Sequence, residues 1–467
     1  MPGCRKALSD KELEIFVAKL GVKKEFRNYV ALAMSLVFYA WGEPKFILVL
    51  LASAVIDFYL GNTIMKTGDK RVKKFAVTLG VVLNLAILVY FKYTGFLVLN
   101  FNEVLARLNF GVLPFLKIAL PVGVSFIVFE KITYLVDVYR SVSKPADKLS
   151  EYFLYVFLFP KLLAGPIIKY HEIARELKER NYDYDNITYG ITRFSIGLGK
   201  KVLIADTVGE LVDAIFKVPA NQLGTHYAWL GAIGFAVQIY FDFSGYSDMA
   251  IGLTRLMGFH LPENFNMPYI SANFSEFWHR WHISLSTWIR EYLYIPLGGN
   301  RVSKPRAYFN LWFCFLLSGL WHGASWPFII WGIYHGSFLI LDKMFLIRYQ
   351  RKLPKQVNML ITFFLLTIGW VIFRSNTMAQ AIDYLATMFS FEAGTAVNIS
   401  RNEGFYLVVG LILCFVPATR IYSGILSIWN NLLQKTEVQL MGAALLLVVE
   451  IGKIFALNFN PFLYFRF

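Results

Sequence analysis

His322 closes a long apolar run, within Ser318-Gly319-Leu320-Trp321-His322-Gly323-Ala324-Ser325-Trp326. An ionisable group at the end of such a run is costly and points to function. A neutral imidazole is the natural general base near physiological pH. Gly323 leaves room beside it for a substrate or a backbone. The competing reading is a histidine hydrogen-bonded in a loop.

A second pair lies in Phe277-Trp278-His279-Arg280-Trp281-His282-Ile283-Ser284. On a helix, Trp278 and His282 are four apart and share a face. His279 and His282 are three apart, a spacing that suits metal ligands. No HExxH pattern or cysteine partner accompanies them, so no metal is assigned. An interfacial aromatic belt explains the tryptophans well and the two histidines poorly. His335, within Trp331-Gly332-Ile333-Tyr334-His335-Gly336, reads as a packed, satisfied core histidine.

Asp242, Ser244 and Asp248 form a polar insert in Tyr240-Phe241-Asp242-Phe243-Ser244-Gly245-Tyr246-Ser247-Asp248. Carboxylates in an apolar run face a bundle interior or a cavity. Cross-linking of helices is the preferred role for both aspartates, with cavity lining second for Asp242.

These residues need elements that hold them in an apolar medium. Of the 467 residues, 57% are hydrophobic and 16% charged, against about 25% charged in a soluble chain. Such a surface is kept in lipid, not in water. Apolar runs appear at 29–41, 46–65, 75–99, 113–138, 152–168, 187–216, 227–257, 307–321, 326–346, 357–373, 404–418 and 438–458. A span needs roughly 20 apolar residues. Several runs are shorter, which predicts about ten spans with broken or re-entrant pieces around a central cavity. Breaks are expected at Gly42-Glu43-Pro44-Lys45, Leu120-Pro121-Val122-Gly123, Ala164-Gly165-Pro166 and Gly298-Gly299-Asn300.

The net charge of +15 sits in short clusters: Lys66 to Lys74, Arg301 to Arg306 and Arg348 to Lys355. That is the positive-inside pattern, and it places all three clusters in the cytoplasm. It argues against nucleic acid and for contact with an anionic leaflet. Residues 1–28 are polar, lack the apolar core of a signal peptide, and are placed in the cytoplasm or at the interface. Cys4, Cys314 and Cys414 have no CxxC spacing, so neither zinc nor a disulfide framework is supported.

Together these motifs resemble the membrane-bound O-acyltransferase superfamily, and most of all its bacterial branch that includes the alginate O-acetyltransferase membrane subunit. Phe38 to Lys45, Leu162-Leu163-Ala164-Gly165-Pro166-Ile167, Tyr240 to Asp248, Asn264-Phe265-Asn266-Met267-Pro268-Tyr269, Phe277 to Ser284, Trp321-His322-Gly323 and Tyr464-Phe465-Arg466-Phe467 carry the likeness. It covers residue 29 to the end. Relatives open with an additional apolar helix, which the polar residues 1–28 do not supply.

The resemblance implies an all-α, polytopic fold over 29–467 around a tunnel, in the inner or plasma membrane of a bacterium. It implies that His322 is the catalytic histidine and His282 a second catalytic position. Trp278, Asp242 and Ser244 are expected to line the tunnel or the substrate. The implied donor is a cytoplasmic acyl thioester, acetyl-CoA or an acyl carrier, with no bound cofactor. The implied acceptor is an extracytoplasmic glycan such as alginate, or a secreted acetyltransferase partner. Two alternatives stand beside it: D-alanyl transfer to teichoic acid, and a transporter or flippase without chemistry, which has no need of a lone histidine beside Gly323.

Overall fold

The structure is a computed structural model that describes residues 26–115, 118–180, 182–419, 424, 435–456 and 462–463. The polar N-terminal segment up to residue 25, with Cys4, and the Tyr464-to-Phe467 motif lie outside the described residues. Regular structure among the described residues is helical, apart from one isolated bridge between Leu223 and Thr395.

Among the described residues, six helices are long and apolar enough to cross a membrane: Phe46–Lys66, Lys70–Arg107, Trp326–Gln350, Lys355–Arg374, Arg401–Ala418 and Thr436–Ala456. About ten spans were expected. Some of the other apolar runs form helices that are short or carry charge. Val124–Tyr139 has 16 residues and includes Glu130, Lys131 and Asp137, while Thr225–Leu256 includes Asp242 and Asp248. All five of these ionisable side chains are buried in protein, as ionisable groups in apolar helices must be.

The chain forms two compact units. The first comprises Met1–Phe194 and Ala250–Pro262. Here two of the expected breaks meet. The Arg27–Gly42 helix ends at Glu43, whose carboxylate accepts from the Val122 backbone N–H at 3.1 Å. The Tyr39 hydroxyl donates to the Val122 carbonyl at 3.1 Å. Both polar groups of Val122 are thus satisfied by side chains where the helix is interrupted, which is the condition for irregular backbone at membrane depth. Gly123 follows with φ +76°, a conformation that suits glycine, and opens the Val124–Tyr139 helix.

Two ion pairs fill the interior of this unit. Glu130 pairs with Lys161. Lys131 lies 3.2 Å from Asp57 and 2.6 Å from the Ser53 hydroxyl. Asn84 donates to both Asp57 oxygens at 3.0 Å. Removing one partner of a buried pair typically costs about 3–5 kcal/mol, while replacing both with apolar residues is often neutral. Lys131→Ala is therefore expected to lower the thermal midpoint of the detergent-solubilised protein sharply. Asp57→Leu combined with Lys131→Met should recover most of that loss; recovery of none of it would contradict the pairing.

The second unit comprises Ser195–Met249 and Glu263–Phe467, and it holds every residue singled out above for chemistry. Its central feature is an antiparallel pair, Lys304–His322 against Trp326–Leu341. The two backbones touch at Gly319 and Gly332. A methyl group at Gly332 would lie 2.5 Å from the Phe315 carbonyl oxygen, and one at Gly319 would lie 3.0 Å from the Gly332 Cα. Small residues at a crossing let membrane helices approach this closely. The contact fixes the last turn of the first helix, and His322 is its final residue.

Candidate active site

His322 is buried, 7% exposed, at the C-terminus of the Lys304–His322 helix. Its ring meets Trp321 at 5.0 Å between centroids, Trp331 at 5.1 Å edge to face and Phe373 at 5.3 Å. The space beside Gly323 is taken by Phe328, whose ring would collide with any Cβ there. The expectation that Gly323 leaves room for substrate or backbone is corrected: the glycine accommodates a neighbouring aromatic side chain, which helps wall the histidine.

His282 does not continue a helix from Trp278. The Phe274–Arg280 helix stops at Trp281, which is extended at φ −101°, ψ 128°. His282 itself is left-handed at φ 45°, ψ 56° and opens the Ile283–Ile289 helix. The expected shared face of Trp278 and His282 is therefore absent. A non-glycine residue in this region is uncommon, though histidine is enriched among those that adopt it. Such a conformation costs about 1–3 kcal/mol and persists only when its surroundings enforce it.

The surroundings that enforce it are the residues of Asn264 to Asn266. The Ile283 N–H donates to the Asn264 carbonyl at 2.9 Å, and the Asn266 N–H donates to the Arg280 carbonyl at 2.9 Å. The Asn264 side chain reaches His282 Nδ1 at 3.0 Å. Phe243 packs edge to face on the His282 ring at 4.7 Å, and Trp321 lies 6.1 Å from it. Trp321 thus contacts both histidines. His282 is fully buried and outside the six candidate spans. Burial lowers its pKa well below the ordinary imidazole range, so the ring is neutral.

A cavity of about 340 Å³ lies beside these residues. Its exposed end carries His279, Arg290, Asn300 and Lys343, and its buried end Trp278, Leu285, Cys314 and Ser318. The lining reaches Ser318, one helical turn before His322, and includes neither His282 nor His322. Trp278 occupies the cavity wall on one side and on the other packs against Trp331 at 5.7 Å and His335 at 5.2 Å. His335 is packed, as expected, but it is not satisfied: neither ring nitrogen has a hydrogen-bond partner among the described residues. The rings of Phe274, Trp278, Trp331 and Tyr334 pack around it, with the Gly369 backbone against Nε2.

The polar insert serves a different place. Asp242 accepts from Lys201 Nζ at 2.7 Å and from the Leu463 N–H at 2.8 Å. Lys201 also bonds Asp206 at 2.6 Å, and Lys200 bonds Asp248 at 2.6 Å. Asp242 lines a separate cavity of about 230 Å³ with Lys201, Asp206 and Gln238. Ser244 is buried and lines neither cavity. Asp242 thus cross-links two helices and lines a cavity of its own, apart from the one that Trp278 lines, and Ser244 lines neither. Their neighbours Phe243 and Ser247 reach the histidine site instead, because a helix aims successive side chains about 100° apart. Among the described residues, no group of three or more His, Cys, Asp or Glu is placed to hold a metal.

Residues 80–379 match the family described as MBOAT, membrane-bound O-acyltransferase family. The chain belongs to the membrane-bound O-acyltransferase family. It is 41% identical to a protein of Pseudomonas aeruginosa named Probable alginate O-acetylase AlgI, over 88% of this chain and 79% of that protein. It is 35% identical to the peptidoglycan O-acetyltransferase of Helicobacter pylori, over 93% and 90%. Similarity to the teichoic acid D-alanyltransferase of Bacillus subtilis is 30% over 54% of this chain and 68% of that protein. As a member of the family, the chain is a multi-pass membrane enzyme, an O-acyltransferase, and its described residues form the all-helical fold class that the sequence resemblance implied.

Because the Gly319–Gly332 crossing sets the position of His322, Gly319→Leu should impair both folding and acyl transfer. Overpacking of this kind costs about 1–3 kcal/mol. Gly404, with no neighbouring atom within 4 Å of an added Cβ, is the control. Thermal midpoints and transfer rates of the two leucine variants should diverge, and equal behaviour would refute the crossing as the positioning element.

Proposed function

We propose that this acyltransferase moves an acetyl group from a cytoplasmic acyl thioester to a hydroxyl of an extracytoplasmic glycan such as alginate, or to a secreted relay partner, in a bacterial inner or plasma membrane. The observation that supports the reading most is the cavity lined both by exposed Arg290, Asn300 and Lys343 and by buried Ser318, one turn before buried His322.

The exposed end suits a thioester carrier. Arg290 and Lys343 provide positive charge for the phosphates of coenzyme A or a phosphopantetheine arm. Both residues are close in sequence to the basic clusters 301–306 and 348–355, which the positive-inside rule assigns to the cytoplasm. The buried end, with Trp278, Leu285 and Cys314, accepts a short apolar acyl chain and excludes water.

His322 is the general base in this reading. It takes the proton of the acceptor hydroxyl as the oxygen attacks the thioester carbonyl. The C–O bond forms, the C–S bond breaks, and the departing thiolate recovers the proton from His322. Two roles are open to His282: orientation of the acceptor and stabilisation of developing charge. The relatives named for alginate and peptidoglycan O-acetylation support a glycan acceptor for this chain.

His322→Ala should retain membrane insertion and thermal stability while transfer falls by about 10²–10⁴-fold, the usual contribution of a general base. Transfer of labelled acetyl from thioester to hydroxyl, within a few-fold of the unmodified protein, would rule out the base role. Arg290→Ala with Lys343→Ala should raise the KM for coenzyme A thioester more than it lowers kcat. An unchanged KM would remove the donor from this cavity.

A further inference from the structure

Asn264 is 1% exposed and binds three groups with one oxygen. Its Oδ1 lies 3.2 Å from the Ser284 backbone N–H, 2.9 Å from the Ser284 hydroxyl and 3.0 Å from His282 Nδ1. A backbone N–H can only donate, so the atom facing Ser284 is the amide oxygen. The amide nitrogen then points the other way and donates to the Ser247 hydroxyl at 3.2 Å. An amide oxygen can only accept. His282 Nδ1 must therefore carry the ring proton, and in the neutral ring Nε2 is left with the lone pair.

We infer that Asn264 is a positioning residue that locks His282 in the Nδ1–H tautomer, so that Nε2 serves as a hydrogen-bond acceptor toward the acyl acceptor. This rests on the proposed role of His282 at the acceptor. It narrows that role. A neutral ring with a lone pair at Nε2 accepts a hydrogen bond from a hydroxyl and has no proton there to offer an oxyanion. Orientation of the acceptor is thus its part in the reaction, and stabilisation of the thioester-derived oxyanion is not.

The hydroxyl that yields its proton to His322 has no second proton to give. The hydrogen bond that His282 accepts comes from another O–H or N–H of the same acceptor molecule. A polyhydroxylated acceptor such as a sugar satisfies both histidines, whereas a simple alcohol satisfies one.

The backbone shows how the lock is built. Asn264 holds the turn twice, through its carbonyl to the Ile283 N–H at 2.9 Å and through its side chain to residues 282 and 284. The left-handed conformation of His282, φ 45°, turns the ring onto the amide. Aspartate at 264 can take over every acceptor role, because the Ser247 hydroxyl can reverse and donate. Leucine at 264 keeps the volume and removes the acceptor.

The test reads the tautomer directly. Full-length protein labelled with ¹⁵N-histidine is reconstituted in lipid, and the His282 signals are assigned by their loss in His282→Gln. Nitrogen NMR should show a protonated Nδ1 and an unprotonated Nε2, retained in Asn264→Asp and lost or mixed in Asn264→Leu. Acetyl transfer should stay within a few-fold in Asn264→Asp and fall about 10–100-fold in Asn264→Leu, the range found when a partner that fixes a histidine's tautomer is removed. An Nε2–H ring in the unmodified protein overturns the inference, and that spectrum needs no variant to fold. Retention of the Nδ1–H form in Asn264→Leu overturns it too. An Nδ1–H ring together with full activity in His282→Gln would instead leave the lock standing and refute the catalytic reading of His282.

Discussion

Removing a polar group from water without giving it a partner costs several kcal/mol, and a chain that crosses a bilayer meets that cost wherever a helix breaks or an ionisable side chain turns inward. At several such places the structure answers the cost locally. Val122 is satisfied by Glu43 and Tyr39 at one break. Asp57 is met by Lys131 and Asn84, and Asp242 by Lys201 and the Leu463 backbone. His282, at the break between two short helices, is met by Asn264. The two candidate catalytic histidines lie at helix ends, His282 at the start of one and His322 at the end of another, rather than along helix faces.

The same economy explains the aromatic content. Trp278, Trp331, Trp370 and Phe277 enclose His335, and Trp321, Trp331 and Phe373 wall His322. Aromatic rings exclude water at low conformational cost and keep the local dielectric low.

Much of this was legible in the sequence. Hydropathy and charge identified the membrane, and the turn and break residues marked where helices stop. His322 at the end of an apolar run stood out because ionisable groups are rare there. What periodicity could not supply was the geometry of interruptions. It puts Trp278 and His282 on one helical face, whereas Trp281 is extended and His282 left-handed. Asn264 was visible as part of a motif, but its bond to His282 is a tertiary contact that no local pattern encodes. The placement of Asp242 depended on Lys201, which is distant in sequence. Gly323 does allow a close approach, but by the Phe328 side chain from the next helix and not by a substrate. His335 was foreseen as packed, but its enclosure by rings without a hydrogen bond follows from the fold alone.

The central claim is that acyl groups, and not their carriers, pass through this protein. Purified protein in sealed vesicles, given labelled acetyl thioester outside and a sugar acceptor inside, tests it most directly. Label should appear as an ester on the enclosed sugar while the thiol carrier stays outside. Entry of intact thioester, or exit of unmodified sugar, with no ester formed, would contradict the account and identify a transporter.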